Sequence, residues 1–354
     1  MMIMIEKIKS SNFKSIQFLR FFAAFLVLVT HSTFYVHERY DPNITVFSEG
    51  AIGVDIFFII SGFVILLSSI SRDGGFESWG GFTVKRLNRI VPMYWIATTI
   101  KVLTLIFIPA AVLHATLDPS RIILSYFFLP SITPDGRWEP ILGVGWTLVF
   151  EMFFYVLFAL ALFLRKNPVI FSSLIIIVFS VISLFRQPDW PIQTFYFDRI
   201  LLYFVLGMLS YIAMVKLTSV GMRNIAIILV VASLFFFAKK IIYGEQIIER
   251  LSLATYIFVL TFFFIIINCE RYFTGVFSRI STLFGDASYS TYLFHPLIAP
   301  IVPSLFNKIS GAGVHFNSIL VVLFTIVSAF IITLMIHVLI ERPLTKYLRS
   351  FHKK

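Results

Sequence analysis

Arg20 and His31 fall inside one apolar run, Ile16 to Val36, with ten residues between them. Ionisable groups are costly to bury in a bilayer and mark function there by default. An imidazole in such a run can take a proton from a hydroxyl or carry an acyl group transiently, and a guanidinium can guide or stabilise negative charge. At about 100° per residue, eleven steps close three turns plus roughly 20°, so both side chains share one helix face about 16 Å apart. A cation towards one side of the membrane and an imidazole towards the other, facing the same way, predict a lined passage across it.

Other polar residues fall in apolar runs. Asp55 lies near the outer end of the second and is expected level with His31, where a carboxylate would fix the tautomer of the ring. It reads equally well as an interfacial cap. Glu151 falls mid-depth in the fourth run and His295 mid-depth in the ninth. Burying such groups without partners is expensive, so some should converge on one cavity; the bland reading is that each is satisfied by a neighbouring helix. Lys101 is expected to snorkel or pair within the bundle, and His337 to sit at an interface. His37, His114, His315 and His352 are read as loop or tail residues without a chemical role.

A second cluster is Arg86-Leu-Asn-Arg89-Ile-Val-Pro92-Met-Tyr94-Trp95. Arg86 and Arg89 are neighbours on one helix face, expected at a helix start, where paired guanidinium groups suit phosphates. Basic residues at a cytoplasmic helix end are also ordinary topology statistics. Taken with the first cluster, the spacing suits coenzyme A: phosphates on Arg86 and Arg89, and a pantetheine arm running past Arg20 to present a thioester near His31.

These residues need a scaffold in lipid. Of the 354 residues, 58% are hydrophobic and 13% charged, too apolar for a soluble domain of this length. The expected fold is an all-α integral membrane protein, one domain over 1–354, with about ten transmembrane helices in one bundle near 16–36, 51–70, 88–113, 140–164, 168–185, 198–215, 223–239, 251–269, 281–306 and 318–340. The ninth carries Asp286, His295, Pro296, Pro300 and Pro303 and is expected to kink or break. Segments on the side of the termini hold 18 Lys and Arg, including Lys7, Lys9 and Arg72, against nine in the opposite loops, including Arg250. That asymmetry predicts both termini in the cytoplasm, without a cleavable signal peptide. The net charge of +11 is read as loop asymmetry and contact with anionic membrane lipid, not nucleic acid. The single cysteine, Cys269, excludes an intramolecular disulfide and a Cys-based metal site, and no metal is expected. The longest outer loop, His114 to Glu139, reads as either a cap over a site or a disordered connector.

Five fragments in order carry a resemblance: Ser15-Ile-Gln-Phe-Leu-Arg20 with His31; Gly53-Val-Asp-Ile-Phe-Phe-Ile-Ile-Ser61-Gly-Phe63; the Arg86 to Trp95 stretch; Trp146-Thr-Leu-Val-Phe-Glu151; and Ser288-Tyr-Ser-Thr-Tyr292-Leu-Phe-His295-Pro296. Over nearly the whole chain the sequence resembles the acyltransferase-3 family of integral membrane acyltransferases, which modify bacterial surface and secreted glycans. The resemblance implies that Arg20 and His31 are essential for transfer, that Arg86 and Arg89 serve acyl-CoA use, and that Glu151 is functional. The opening block and the stretch after Glu151 look most like exopolysaccharide and O-antigen acetylases, which implies residence in the bacterial cytoplasmic (inner) membrane. Many relatives add a C-terminal SGNH-type domain. The chain ends about a dozen residues after Glu341, so direct transfer or a separate periplasmic transfer partner is expected.

The expected activity is O-acyl transfer from cytoplasmic acyl-CoA, most simply acetyl-CoA, to a hydroxyl of a glycan or lipid-linked glycan. The catalytic candidates are His31, Arg20, Glu151 and Asp55, with Asp55 or Glu151 orienting the imidazole. Acyl-CoA would rest on Arg86 and Arg89, and Tyr292 and His295 would line the cavity. Two rivals remain: a transporter or flippase for a lipid-linked sugar or anion, disfavoured by one Pro-rich helix without a counterpart, and a non-catalytic subunit of a polysaccharide assembly.

Overall fold

A computed structural model describes residues 13–71, 75–109, 112, 116–187, 190–217, 219–243, 251–311 and 313–350. Lys7, Lys9, Arg72, His114, Arg250 and His352 lie outside them. The described residues are helical, with one isolated β-bridge between Ile70 and Phe76. Seven stretches, Lys14–Arg39, Ser48–Ser69, Trp79–Phe107, Gly143–Phe163, Pro168–Phe185, Ile192–Lys216 and Ser318–Ser350, are long and apolar enough to cross a membrane. Val220–Phe236 and Leu253–Asn268 are shorter apolar helices. The chain is an all-α membrane protein.

In chain order the helices are α1 (Lys14–Arg39), α2 (Ile52–Ser69), α3 (Trp79–Phe107), α4 (Pro119–Tyr126), α5 (Trp146–Phe163), α6 (Pro168–Ile182), α7 (Leu202–Lys216), α8 (Ser219–Tyr243), α9 (Leu253–Asn268), α10 (Gly275–Ile298), α11 (Ile301–Ser310), α12 (Ser318–Ile336) and α13 (Arg342–Ser350). Polar residues set many of the starts. The side chains of Ser78, Asp118, Asn167, Ser252 and Asn317 accept first-turn N–H groups of α3, α4, α6, α9 and α12. Helix α1 has no such residue of its own. Glu270 supplies the cap from 255 residues away, accepting from Lys14 N at 2.9 Å and Ser15 N at 2.8 Å. A carboxylate there satisfies orphan donors and meets the positive end of the helix dipole.

Glu270 and α13 mark one end of the bundle, called the terminal face. At the opposite face the end of α1 meets the start of α12: Tyr40 donates to the Phe316 carbonyl at 2.7 Å, and Ser318 donates to Asp41. Glycines let the central helices approach closely. Gly62 of α2 lies against the Phe204 carbonyl and Gly207 of α7 against the Ile59 carbonyl, where an added Cβ would stand 2.1 Å from oxygen in both cases. Small residues at membrane helix crossings permit such packing.

Two boundaries differ from those expected. Helix α3 begins at Trp79, nine residues before the expected start, because Ser78 caps it and Phe82, Arg86 and Ile90 continue one buried face at four-residue spacing. Arg86 and Arg89 therefore lie about two turns inside α3, not at a helix N-terminus. The ninth segment is broken, as expected: α10 ends at Ile298 and α11 starts at Ile301 after Ala299 and Pro300. The segment from Asp118 to Glu139 is built structure, formed by α4 and a turn in which Thr133 and Arg137 exchange backbone and side-chain hydrogen bonds.

Candidate active site

Two chambers open in the bundle, one towards each face. The inner chamber, about 180 Å³, is walled by α1, α2, α3, α5 and α10 and includes Arg20, Arg86, Arg89, Glu151, Tyr155 and Tyr292. The outer chamber, about 970 Å³, takes its wall from α1, α3, the segment from Arg121 to Trp146, and α10 to α11; His31 lies on it.

In the inner chamber, Arg20 Nη1 donates to Gln17 Oε1 at 3.1 Å, and Gln17 Nε2 donates to Asp286 Oδ1 at 3.0 Å. The amide links a guanidinium to a carboxylate on α10. Gly285 makes the link possible, since a Cβ there would stand 2.3 Å from the Gln17 carbonyl. Arg86 is buried, donates to Ser68 Oγ, and lies over the Phe82 and Tyr155 rings at 5.4 and 5.9 Å from their centroids. Arg89, one turn on, is exposed. The pair is thus asymmetric, one guanidinium embedded and one open. Glu151 accepts from Ser61 Oγ at 2.9 Å and from Tyr155 OH.

The imidazole of His31 is held by another imidazole. His31 Nδ1 lies 3.1 Å from the Val27 carbonyl oxygen and 2.9 Å from His295 Nε2, and the rings are 4.8 Å apart. His295 is fully buried, with Nδ1 3.0 Å from the Thr291 carbonyl. Carbonyl oxygens only accept, which assigns the protons. His295 Nδ1–H donates to Thr291, so His295 Nε2 is an acceptor. His31 Nδ1–H is shared between that nitrogen and Val27, which leaves His31 Nε2 with a free lone pair beside the outer chamber. Pro296 contributes by lacking the N–H that would close on the Tyr292 carbonyl; that carbonyl and Thr291's both face the His295 ring.

This arrangement corrects the expected carboxylate partner. Glu151 is engaged with Ser61 and Tyr155 on the inner chamber, and Asp55 is fully buried in the first turn of α2. The hydrogen-bonding partner of the His31 ring is His295, a residue expected only to line a cavity. Tyr292 does line the inner chamber. Lys101 and the segment ending at Glu139 face the outer chamber, so that loop is wall, not free connector. His337 is buried against protein, with Nδ1 2.7 Å from Glu341 Oε2 in a π-helical turn, and Glu341 also accepts from Ser290 at 2.7 Å. Gln17, Ser61 and Tyr155 were missed. Their signal is helical spacing, Gln17 three residues before Arg20 and Tyr155 four after Glu151.

A single continuous passage was also expected; the structure shows two chambers with separate linings. The two chambers share no lining residue. Between them the Tyr292 hydroxyl meets Thr147 Oγ1 at 2.8 Å and the Val144 carbonyl at 3.2 Å, and its ring packs edge-on to Phe57 at 5.4 Å. Thr147 and Tyr292 face the inner chamber and Val144 the outer.

A family described as an acyltransferase domain matches residues 13–338. The chain belongs to the acyltransferase-3 family. It is also similar to the exopolysaccharide production protein ExoZ of Rhizobium meliloti (strain 1021), 30% identical over 310 residues that cover 85% of this chain and 91% of that protein. No solved structure matches it. Membership of the family makes this chain a membrane acyltransferase and leaves donor and acceptor to the chemistry of the chambers.

Proposed function

We propose that the chain moves an acyl group, most simply acetyl, from acyl-CoA on the terminal face to a hydroxyl of a glycan or lipid-linked glycan on the opposite face. The excess of basic residues on the terminal face supports placing it in the cytoplasm of a bacterial inner membrane. The similarity to an exopolysaccharide production protein supports a surface or secreted glycan as acceptor.

The observation that carries the reading is the His31–His295 pair on a chamber large enough for an acceptor, with a basic chamber further along α1 around Arg20. Exposed Arg89 and embedded Arg86 take the donor phosphates, Arg89 as the accessible contact and Arg86 as the fixed edge. Arg20, tethered by Gln17 and Asp286, guides the thioester arm along α1. The arm passes between the chambers when the Tyr292 contact opens. His31 Nε2 takes the proton of the acceptor hydroxyl as its oxygen attacks the thioester carbonyl carbon. The C–O bond forms, the C–S bond breaks, and the imidazolium returns the proton to the departing thiolate. His295 holds the tautomer that makes Nε2 the base.

The test is transfer of radiolabel from acetyl-CoA to glycan in membranes containing the wild type or His31→Ala. The reading expects transfer in the first and its loss in a variant that still inserts. Undiminished transfer by His31→Ala rejects His31 as base. Movement of a lipid-linked sugar without covalent change favours a flippase. Exchanging Arg86 and Arg89 for Ala is expected to weaken acyl-CoA use, and unaltered dependence on CoA rejects that site.

A further inference from the structure

The outer chamber is cationic in a place where topology leads one to expect few basic residues. Arg39, Lys101, Arg121, Arg137 and Lys308 line it, against one acidic side chain, Glu139. Three of the five are partly answered by protein groups. Arg137 pairs with Asp135 at 2.8 Å and Glu139 at 3.2 Å, Arg39 Nη1 donates to Ser304 Oγ at 2.8 Å, and Arg121 Nη2 donates to the Glu139 carbonyl at 3.2 Å. The remainder is not answered. Arg121 is 4% exposed, yet its Nε and Nη1 have no hydrogen-bond partner. Lys101, within α3, makes no hydrogen bond or ion pair with another described residue. Its charged neighbours are Arg39 and Glu139. Buried donors of this kind are costly unless something accepts from them, and a cleft lined by one sign of charge concentrates the opposite sign.

The size of the chamber says what enters. At about 970 Å³ it lies at the upper end of ligand pockets, roughly 300–1,000 Å³, far more than an acyl group with the tip of its carrier requires. We infer that the acceptor bears anionic oxygens, the carboxylate of an acidic sugar or the diphosphate of a lipid carrier, and that Lys101 and Arg121 hold them while a hydroxyl of the same molecule reaches His31. This deepens the reading above and rests on it. Arg121 sits where α4 and the turn after it pack over the chamber, which gives the segment from Asp118 to Glu139 a recognition role.

The experiment uses the full chain in nanodiscs with three probes: a galacturonic acid trimer, a neutral galactose trimer, and the neutral trimer carried on a polyprenyl diphosphate. Binding and radiolabel transfer from acetyl-CoA are both read. The expected result is binding of an anionic probe at least about tenfold tighter than the neutral trimer, the effect of one charge-assisted hydrogen bond. That ratio should collapse in Lys101→Gln and, independently, in Arg121→Gln checked for unchanged size-exclusion elution. Preference for the galacturonate identifies an acidic sugar as the source; preference confined to the carrier-linked probe identifies the diphosphate. Equal binding of neutral and anionic probes, or a ratio unmoved in both variants, overturns the inference. Charge-selective binding without transfer to any probe overturns the transferase reading and leaves the anion site standing, whereas transfer without charge selection does the reverse.

Discussion

Replacing His295 is the sharpest test of how His31 is prepared for catalysis. The 2.9 Å contact fixes the proton on His31 Nδ1, and the Val27 carbonyl at 3.1 Å accepts from the same nitrogen. His295→Phe therefore removes one of two acceptors, not the lock as a whole. One hydrogen bond is worth about 0.5–1.5 kcal/mol net, which is about 2–13-fold in rate. The expected outcome is a fall in kcat of that order, smaller than the roughly 10²–10⁴-fold loss on removing a general base. KM for acyl-CoA should not move, because His295 is not part of the inner chamber wall. His295→Gln separates positioning from mere packing: its amide can donate to Thr291 and accept from His31 Nδ1–H, and it should restore most of the lost rate. The assay is single-turnover and steady-state transfer from radiolabelled acetyl-CoA, with folded protein normalised by size-exclusion elution. The reasoning is refuted if His295→Phe is as inactive as His31→Ala, which would give His295 a direct chemical role, or if Gln does no better than Phe.

Arg89→Ala should raise KM for acyl-CoA while Arg86→Ala lowers the yield of folded protein as well, because only Arg86 is embedded against Phe82 and Tyr155; equal effects of both on folding and KM would contradict the asymmetry. Tyr292→Ala removes the contact with Thr147 and Val144 and should raise hydrolysis of acetyl-CoA in the absence of acceptor, measured as free thiol release; an unchanged rate would show that Tyr292 does not divide the chambers. Glu270→Ala uncaps α1 and should cost about 1–2 kcal/mol of stability, read as a lower melting temperature in detergent, while Glu270→Gln retains part of it. Hydrogen bonds from Thr133 and Arg137 draw the exposed Asp135 carboxyl from its ordinary value near 3.8 down to about 2. A depressed carboxylate stabilises above its unfolded value and ceases to do so as pH falls through the folded one. Amide exchange over residues 131–139 should therefore rise as pH drops from about 4 to 2, relative to the Asp135→Asn variant.

Helical periodicity and the weight of apolar residues made the fold legible, since lipid admits few other ways to satisfy a backbone. The alignment of Arg20 and His31 on one face was legible for the same reason: both lie on one uninterrupted helix. The partner of His31 was not, because it depends on how α1 and α10 dock, and docking is decided by Gly285 against Gln17, a contact between residues 268 positions apart. An orienting carboxylate is the common arrangement, and Glu151 sits on the right kind of helix. Its neighbours Ser61 and Tyr155 draw it to the other chamber instead. The His-Pro pair at 295–296 held the clue, since a proline frees a carbonyl that a preceding histidine can face. The three-residue spacing of Arg86 and Arg89 made their shared helix face legible, but not their depth in the helix, because the capping serine lies before a Trp-Gly-Gly sequence that reads as a loop.

The divided passage changes what the enzyme has to accomplish. An open tunnel long enough for a pantetheine arm would also admit water and ions, and would expose a thioester to hydrolysis from both sides. In the proposed transfer, the Tyr292 hydroxyl, held by Thr147 and Val144, stands between the inner chamber that would take the donor and the outer one that would take the acceptor. On that proposal His31, which lies on the second, meets the acceptor first, and the donor arm reaches it by displacing a tyrosine held on Thr147 in the first turn of α5 and on Val144 just before it. Residues on that same helix, Glu151 and Tyr155, line the donor chamber. Occupancy of the inner chamber and release of Tyr292 therefore act on one rigid element, which is how a bound donor would open its own path without leaving the membrane open in its absence.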